Sequence, residues 1–256
     1  MGFDYVAVEE AIAGDGLRMV VVGGVPSPWG EAAKGILHVK GIDWTAVRLD
    51  YESEALRRWS GHHNAPVALL DDQQPKAGWA DILLMAERLA PTPPLLPEDP
   101  AERALAFGLA HEMCGEAGLG WSRRLYLIHA GLRNEAGFQE RVAHYLASKY
   151  GYTPAIGEAA NDRVAALLRM LADRLAAQRA IGSDFYIGDA LTAVDIYSAT
   201  FMALFRPLPP ELCAMRDSTR AAFETRDPQT DEALDPILLS HRDRVYRDFL
   251  ELPLSL

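Results

Sequence analysis

The sequence predicts a chain in two parts, an α/β domain ending near residue 90 and a larger all-helical domain after it. Three observations carry this reading. Short β-prone apolar runs are confined to the first eighty residues, a proline-dense stretch occupies 91–97, and beyond it apolar residues recur at helical spacing. With 256 residues and 49% apolar composition, the chain has the material for a packed interior.

Residues 1–18 read as an extension ahead of the first element. Residues 19–22 are an apolar, β-branched run that reads as a buried strand, stopped by Gly23-Gly24 and by Pro26 and Pro28. Within 30–40, Ala33, Ile36 and Leu37 keep helical spacing, and Gly41 stands where a helix ends. Residues 45–49 alternate as a strand does, and 53–59 form a short helix. The segment His62-His63-Asn64-Ala65-Pro66 then leads into an apolar strand at 67–70. Residues 76–80 read as the second arm of a hairpin, and 81–89 as a helix capped by Asp81, with Ile82, Met85 and Leu89 on one face. The order over 19–90 is βαβαββα.

The prolines at 91, 93, 94 and 97 cannot continue a helix, so 91–97 is the linker and 98–256 the helical domain. Phe138, Val142, Tyr145, Leu146 and Tyr150 form one helical stripe, and Val164, Leu167, Leu168, Leu171 and Leu175 another. Thr192 and Asp195, three apart before an apolar run, read as a helix start in which each side chain serves the other's backbone. Residues 206–210 and 216–235 read as partly loop.

The formal net charge of −11 opposes a phosphate backbone, and no basic cluster is denser than Arg123-Arg124 or Arg242, Arg244 and Arg247, so nucleic acid is not an expected partner. No apolar run reaches membrane-spanning length, and the opening residues carry acids where a secretion signal carries Lys or Arg; a cytoplasmic protein with no membrane partner is expected. Cys114 and Cys213 fit buried small apolar residues of a reducing compartment. His111-Glu112 lacks a second His at the spacing of a zinc helix, since position 115 is Gly, and no metal site is expected.

Several of these segments together resemble the cytosolic glutathione transferases, as a divergent, bacterial-type member of no assignable class. They are Ser27-Pro28-Trp29-Gly30 after the first strand, Ala65-Pro66-Val67 at a strand entry, the helix near Asp81, the proline linker and the Thr192/Asp195 pair. The resemblance is one of layout and runs from Met19 onward. It implies a thioredoxin-like first domain with a cis proline at Pro66, which leaves the Ala65 backbone free to pair with the peptide of glutathione. Read alone, Pro66 is also an ordinary proline at a strand edge.

The resemblance further implies a Glu-Ser or Gln-Ser pair at the start of the last helix of this domain, to receive the γ-glutamyl group, and its register puts that pair on Asp81-Ile82. Ile82 has no hydroxyl, a loss of about one to two orders of magnitude in affinity. Ser27 stands where the family meets the glutathione sulfur; by itself it is equally a turn residue or a helix cap. His62, His63 and Asn64 fall near the expected glycine carboxylate. Trp29, Met113, Trp121 and Tyr126 are expected to line the electrophile pocket, with Arg123 or Arg124 favouring an anionic substrate; each is also explicable as core or surface. The implied activity is attack of the glutathione thiol, as cosubstrate, on a small apolar electrophile, in a homodimer. The alternatives are a non-catalytic binding or assembly module of the same fold, and an enzyme using another anionic or peptide-like ligand.

Overall fold

The computed structural model describes residues 4–256. Helix α1 (Val8–Ala13) precedes strand β1 (Leu17–Val21), followed by α2 (Pro28–Val39), β2 (Thr45–Arg48), α3 (Glu54–Ser60), β3 (Val67–Leu70) and α4 (Trp79–Leu89). The strands form one sheet in the order β2-β1-β3, with β1 parallel to β2 and antiparallel to β3.

The two-residue period of β1 sorts its side chains between two cores. Leu17, Met19 and Val21 face a core shared with Ile36 and Leu37 of α2 and with Ile82 and Met85 of α4, which continues into the helical domain. Val20 faces the other way, with Val47, Leu56, Val67 and Leu69. Residues ahead of β1 help close this second face: Ala11 of α1 is buried in it, and Val6 makes a parallel bridge to Val47. The expected extension therefore overlaps β1, which starts at Leu17, and part of it covers the sheet.

Two expectations in this half need correction. The second hairpin arm at 76–80 reduces to a single bridge between Ala68 and Lys76. Helix α4 begins at Trp79 with Gly78 as its N-cap, so Asp81 does not cap it but lies in its first turn. A glycine takes the extended cap conformation at little cost, and an acid in the first turn is favoured by the helix dipole, so both residues suit the earlier start.

Residues 91–97 are docked. Leu95 and Leu96 are buried, and Lys40 Nζ donates to the carbonyls of Ala90 (2.9 Å) and Pro93 (2.6 Å) while pairing with Glu87. The Leu95 N–H donates to Glu87 Oε1 at 2.9 Å, and the Leu95 carbonyl accepts from Ala193 N at 2.8 Å.

The second half comprises α5 (Pro100–Cys114), α6 (Leu119–Leu132), α7 (Glu140–Tyr150), α8 (Pro154–Ala180), α9 (Ala193–Phe201), a 3₁₀ turn (Met202–Leu204), α10 (Asp217–Phe223), α11 (Pro228–Ala233) and α12 (Pro236–Phe249). Asp99, Thr153, Asp227 and Asp235 each cap a helix whose next residue is proline, combining a side-chain acceptor with a preset φ. Helix α9 is buried along its whole length and packs against α2, α5 and α12. Asp195 anchors it: its carboxylate accepts from the Thr192 N–H (2.8 Å), the Thr192 hydroxyl (2.9 Å) and the Tyr186 N–H (3.0 Å). No helix among the described residues is long and apolar enough to cross a membrane.

Candidate functional site

The sequence between β1 and α2, Gly23-Gly24-Val25-Pro26-Ser27-Pro28, turns the chain sharply. Gly24 takes a positive φ of 71°, and Pro28 occupies the first helical position, with Ser27 as the N-cap of α2. The Ser27 side chain caps no amide of α2, although the residue is only 8% exposed. Its hydroxyl is thus unused as a helix cap, and Ser27 lines a cavity of about 670 Å³.

That cavity is formed by both halves of the chain. From the first come Ser27, Trp29, Tyr51, Asn64, Ala65, Pro66 and the α4 start at Gly78 and Trp79; from the second, Trp121 and Arg124 of α6, Phe138, and Tyr145, Lys149 and Tyr150 of α7, among others. The Ala65–Pro66 peptide bond is cis. The ladder of β3 begins at Val67, and among the described residues Ala65 makes no backbone–backbone hydrogen bond.

Trp29 ties the two halves together. Its Nε1 donates to the Cys114 carbonyl at 2.8 Å, and its ring meets Phe201 edge-on at 4.9 Å. The Arg124 guanidinium stands over the same ring, 5.5 Å from its centroid. Trp121 packs edge-on against Tyr150 at 4.6 Å. Also on the cavity wall, the Tyr51 and Tyr145 rings meet at 5.5 Å, and partial burial together with Tyr51 pushes the Tyr145 phenol up to about 12. Burial pushes the Cys114 thiol well up, which keeps it a thiol and a poor nucleophile.

Other expected site residues lie elsewhere. Ile82 is 1% exposed and belongs to the core under the sheet, while Asp81 is exposed; neither lines the cavity. The helix starts at Trp79, two residues before that pair, with Gly78 as its N-cap. The register is displaced because Ile82 and Met85 mark the core face and not the helix start, while Leu89, expected on the same face, is exposed. The Asp81 carboxylate folds back over that start, and a Cβ placed on Gly78 would come 2.7 Å from Asp81 Oδ2.

Met113 is fully buried in the main core, because its side of α5 faces the interior. Tyr126 points to a different surface, where its hydroxyl lies 3.4 Å from Asp227 Oδ2. Arg123 is fully buried and donates to the carbonyls of Leu204 (3.1 Å) and Thr225 (2.6 Å); burial lowers its pKa to about 10. His62 and His63 stay in the loop outside the cavity wall, and only Asn64 of that trio reaches it. Among the described residues no group of His, Cys, Asp and Glu is arranged to hold a metal ion.

Tyr51, Trp79, Phe138, Lys149 and Tyr150 line the cavity without having been singled out for it. Tyr145 and Tyr150 carried a signal, since a helical stripe rich in aromatic side chains can face a cavity as well as a core; Phe138, expected in the same stripe, lies just ahead of α7. Tyr51 sits just after β2 on a loop, where no pattern distinguishes it.

No family model matches this sequence, and no curated protein does. Solved structures do match. A glutathione S-transferase from Methylobacterium radiotolerans, in complex with glutathione sulfonate, superposes with a TM-score of 0.60 at 20% identity, covering 91% of each chain. A glutathione transferase family member from Pseudomonas fluorescens, with two glutathione bound, gives 0.64 at 13% identity over 94% of this chain and 93% of its own. Rice GST1 in complex with glutathione gives 0.59 at 21% identity, covering 93% and 92%. This chain, a thioredoxin-like α/β domain joined to an all-helical domain, has the glutathione S-transferase fold.

Proposed function

We propose that the protein binds glutathione in the cavity between its two halves and uses the thiol to attack a small electrophile. The observation that carries this is Ser27, buried at the N-terminus of α2, whose hydroxyl accepts from no helix amide and which lines the same cavity as Ala65. A peptide laid along Ala65 would add an edge to the sheet beside β3 and bring its cysteine towards Ser27. The Ser27 hydroxyl and the positive end of α2 then favour the thiolate over the thiol. In the conjugation, the thiolate forms a carbon–sulfur bond, the leaving group departs with its electron pair, and the thiol proton passes to solvent.

The α4 start gives glutathione a different reception from the Glu-Ser pattern. Gly78-Trp79 offers backbone amides but no hydroxyl, and the Asp81 carboxylate crowds the same helix end. An ammonium group is welcome there; a carboxylate meets like charge. This observation favours, as the second reading, an enzyme of this fold that takes another peptide-like ligand with a free amino group.

On the leading reading the protein is a cytoplasmic homodimer, for which the exposed Leu84 and Leu89 of α4 and Leu105 of α5 offer apolar surface. Isothermal titration with glutathione, paired with a conjugation assay on an activated aryl halide, is the test. Binding at millimolar or lower concentration with turnover is expected. Binding without turnover leaves the assembly role, and no binding alongside a melting shift from another amino-terminal peptide selects the second reading.

A further inference from the structure

Arg123 and Arg124 are neighbours on α6, and both are at least nine-tenths buried, yet the structure treats them differently. Arg123 spends its donors on the carbonyls of Leu204 and Thr225. Among the described residues Arg124 has no such partners. Its guanidinium lies between two rings, 5.5 Å from the centroid of Trp29 and 5.8 Å from that of Tyr150, and its Nε has no hydrogen-bond partner. It forms the cavity wall. Ring faces hold a cation in place without satisfying its in-plane N–H donors, which leaves the fork of the guanidinium available to a planar anion.

A second cation shares this wall. Lys149 also lines the cavity, and partial burial together with the Arg124 charge lowers its pKa. Glu116 is the carboxylate among the lining residues, and among the described residues it makes no ion pair with either cation. Trp121, Phe138 and Tyr150 supply aromatic lining to the same cavity, and Trp121 packs edge-on against Tyr150.

We propose that this cavity selects a small aromatic carboxylate or sulfonate, its anionic group pairing with Arg124 and its ring lying among Trp121, Phe138 and Tyr150. The proposal names the electrophile's class for the transferase reading and rests on that reading only for the word electrophile; the binding itself needs no glutathione. Trp29 stands two residues after Ser27, so an anion paired with Arg124 is anchored on the side of the cavity nearest the α2 N-terminus.

The test compares 2-naphthoate with its neutral isostere 2-naphthamide by titration calorimetry and tryptophan quenching, without glutathione. The wild-type protein is expected to bind the acid about tenfold to a hundredfold more tightly than the amide, the range of a charge-assisted pair. Arg124→Met is expected to abolish that preference while leaving amide affinity unchanged, which also shows that the variant is folded. Arg124→Lys, which keeps the charge and loses the fork, should retain part of it. Equal affinity for acid and amide, no binding of either, or a preference that survives Arg124→Met overturns the proposal. Displacement of 2-naphthoate by saturating glutathione also overturns it, because Arg124 would then read a carboxylate of glutathione. Failure of glutathione to bind at all contradicts the transferase reading and leaves this preference standing.

Discussion

Trp29 and Cys114 are joined by a 2.8 Å hydrogen bond from the indole N–H to the backbone carbonyl, which fastens the first turn of α2 to the last turn of α5. The bond is made by the wall of the cavity itself, so the two halves of the chain are held in register where the ligand would lie. Trp29→Phe keeps most of the ring contact with Phe201 but leaves that carbonyl without its partner. A loss of about 1–3 kcal/mol is expected from urea unfolding. A variant as stable as the wild type would mean that the bond contributes nothing to joining the halves.

The α4 start is the place to look for what limits glutathione affinity. Trp79→Ser supplies the missing hydroxyl and should tighten glutathione binding by about one order of magnitude or more, read by calorimetry. The same change removes an indole packed against Phe107 and Tyr197, at ring distances of 6.2 and 5.7 Å. It should therefore lower stability by about 3 kcal/mol. Unchanged affinity in a folded variant would show that the γ-glutamyl group does not reach this helix end.

Asp195 is the buried anchor of α9, accepting three hydrogen bonds and facing His241 Nε2 at 3.2 Å. Asp195→Ala strands those donors in the core, and a destabilisation of about 3–5 kcal/mol is expected from denaturant unfolding. Thr192→Ala removes one donor and should cost about 1 kcal/mol. If the two variants lost equal stability, the central role given to the carboxylate would be wrong.

Several buried acids fix the alkaline side of the stability profile. Burial raises Cys213 from 9.0 to about 11, and raises Cys114 and Tyr197 well above their ordinary values. In the unfolded chain these groups ionise near their ordinary values, while the folded chain still holds their protons. Stability is therefore fully present below about pH 9 and falls as pH rises through the folded values. The urea midpoint should drop steadily above about pH 9, and less steeply in Cys213→Ala. A flat profile up to about pH 11 would contradict the burial of these groups.

The change from an α/β to an all-helical part was legible because strand and helix periods differ so plainly on the two sides of the prolines, although the expected fourth strand is only a single bridge. Thr192 and Asp195 were legible for a similar reason: a capping box is a local device whose spacing survives any tertiary context. The α4 start was not, since glycine is a weak cap signal and the acid at Asp81 imitates a stronger one. Helix starts of the form Asp-Pro or Thr-Pro, at 99, 153, 227 and 235, were present in the sequence; the one at 227 begins α11 inside the 216–235 stretch that otherwise reads as loop, while α10, capped by Arg216, carries no such mark. Met113 and Tyr126 show the opposite limit. Which side of a helix faces a cavity depends on how α5 and α6 rotate against their neighbours, and no single-sequence pattern encodes that rotation.

Ser27 carries the proposed chemistry, and its two possible roles separate cleanly. Because its side chain caps no amide, Ser27→Ala should change stability by less than about 0.5 kcal/mol, where a true cap would cost about 1. The decisive measurement is the ultraviolet thiolate absorbance of bound glutathione, followed across pH in the wild type and in Ser27→Ala. The wild type should ionise the bound thiol roughly one or more pH units below free glutathione, and Ser27→Ala should return it most of the way. A bound thiol that titrates like free glutathione, or identically in the two proteins, would contradict the assignment of Ser27 to the sulfur.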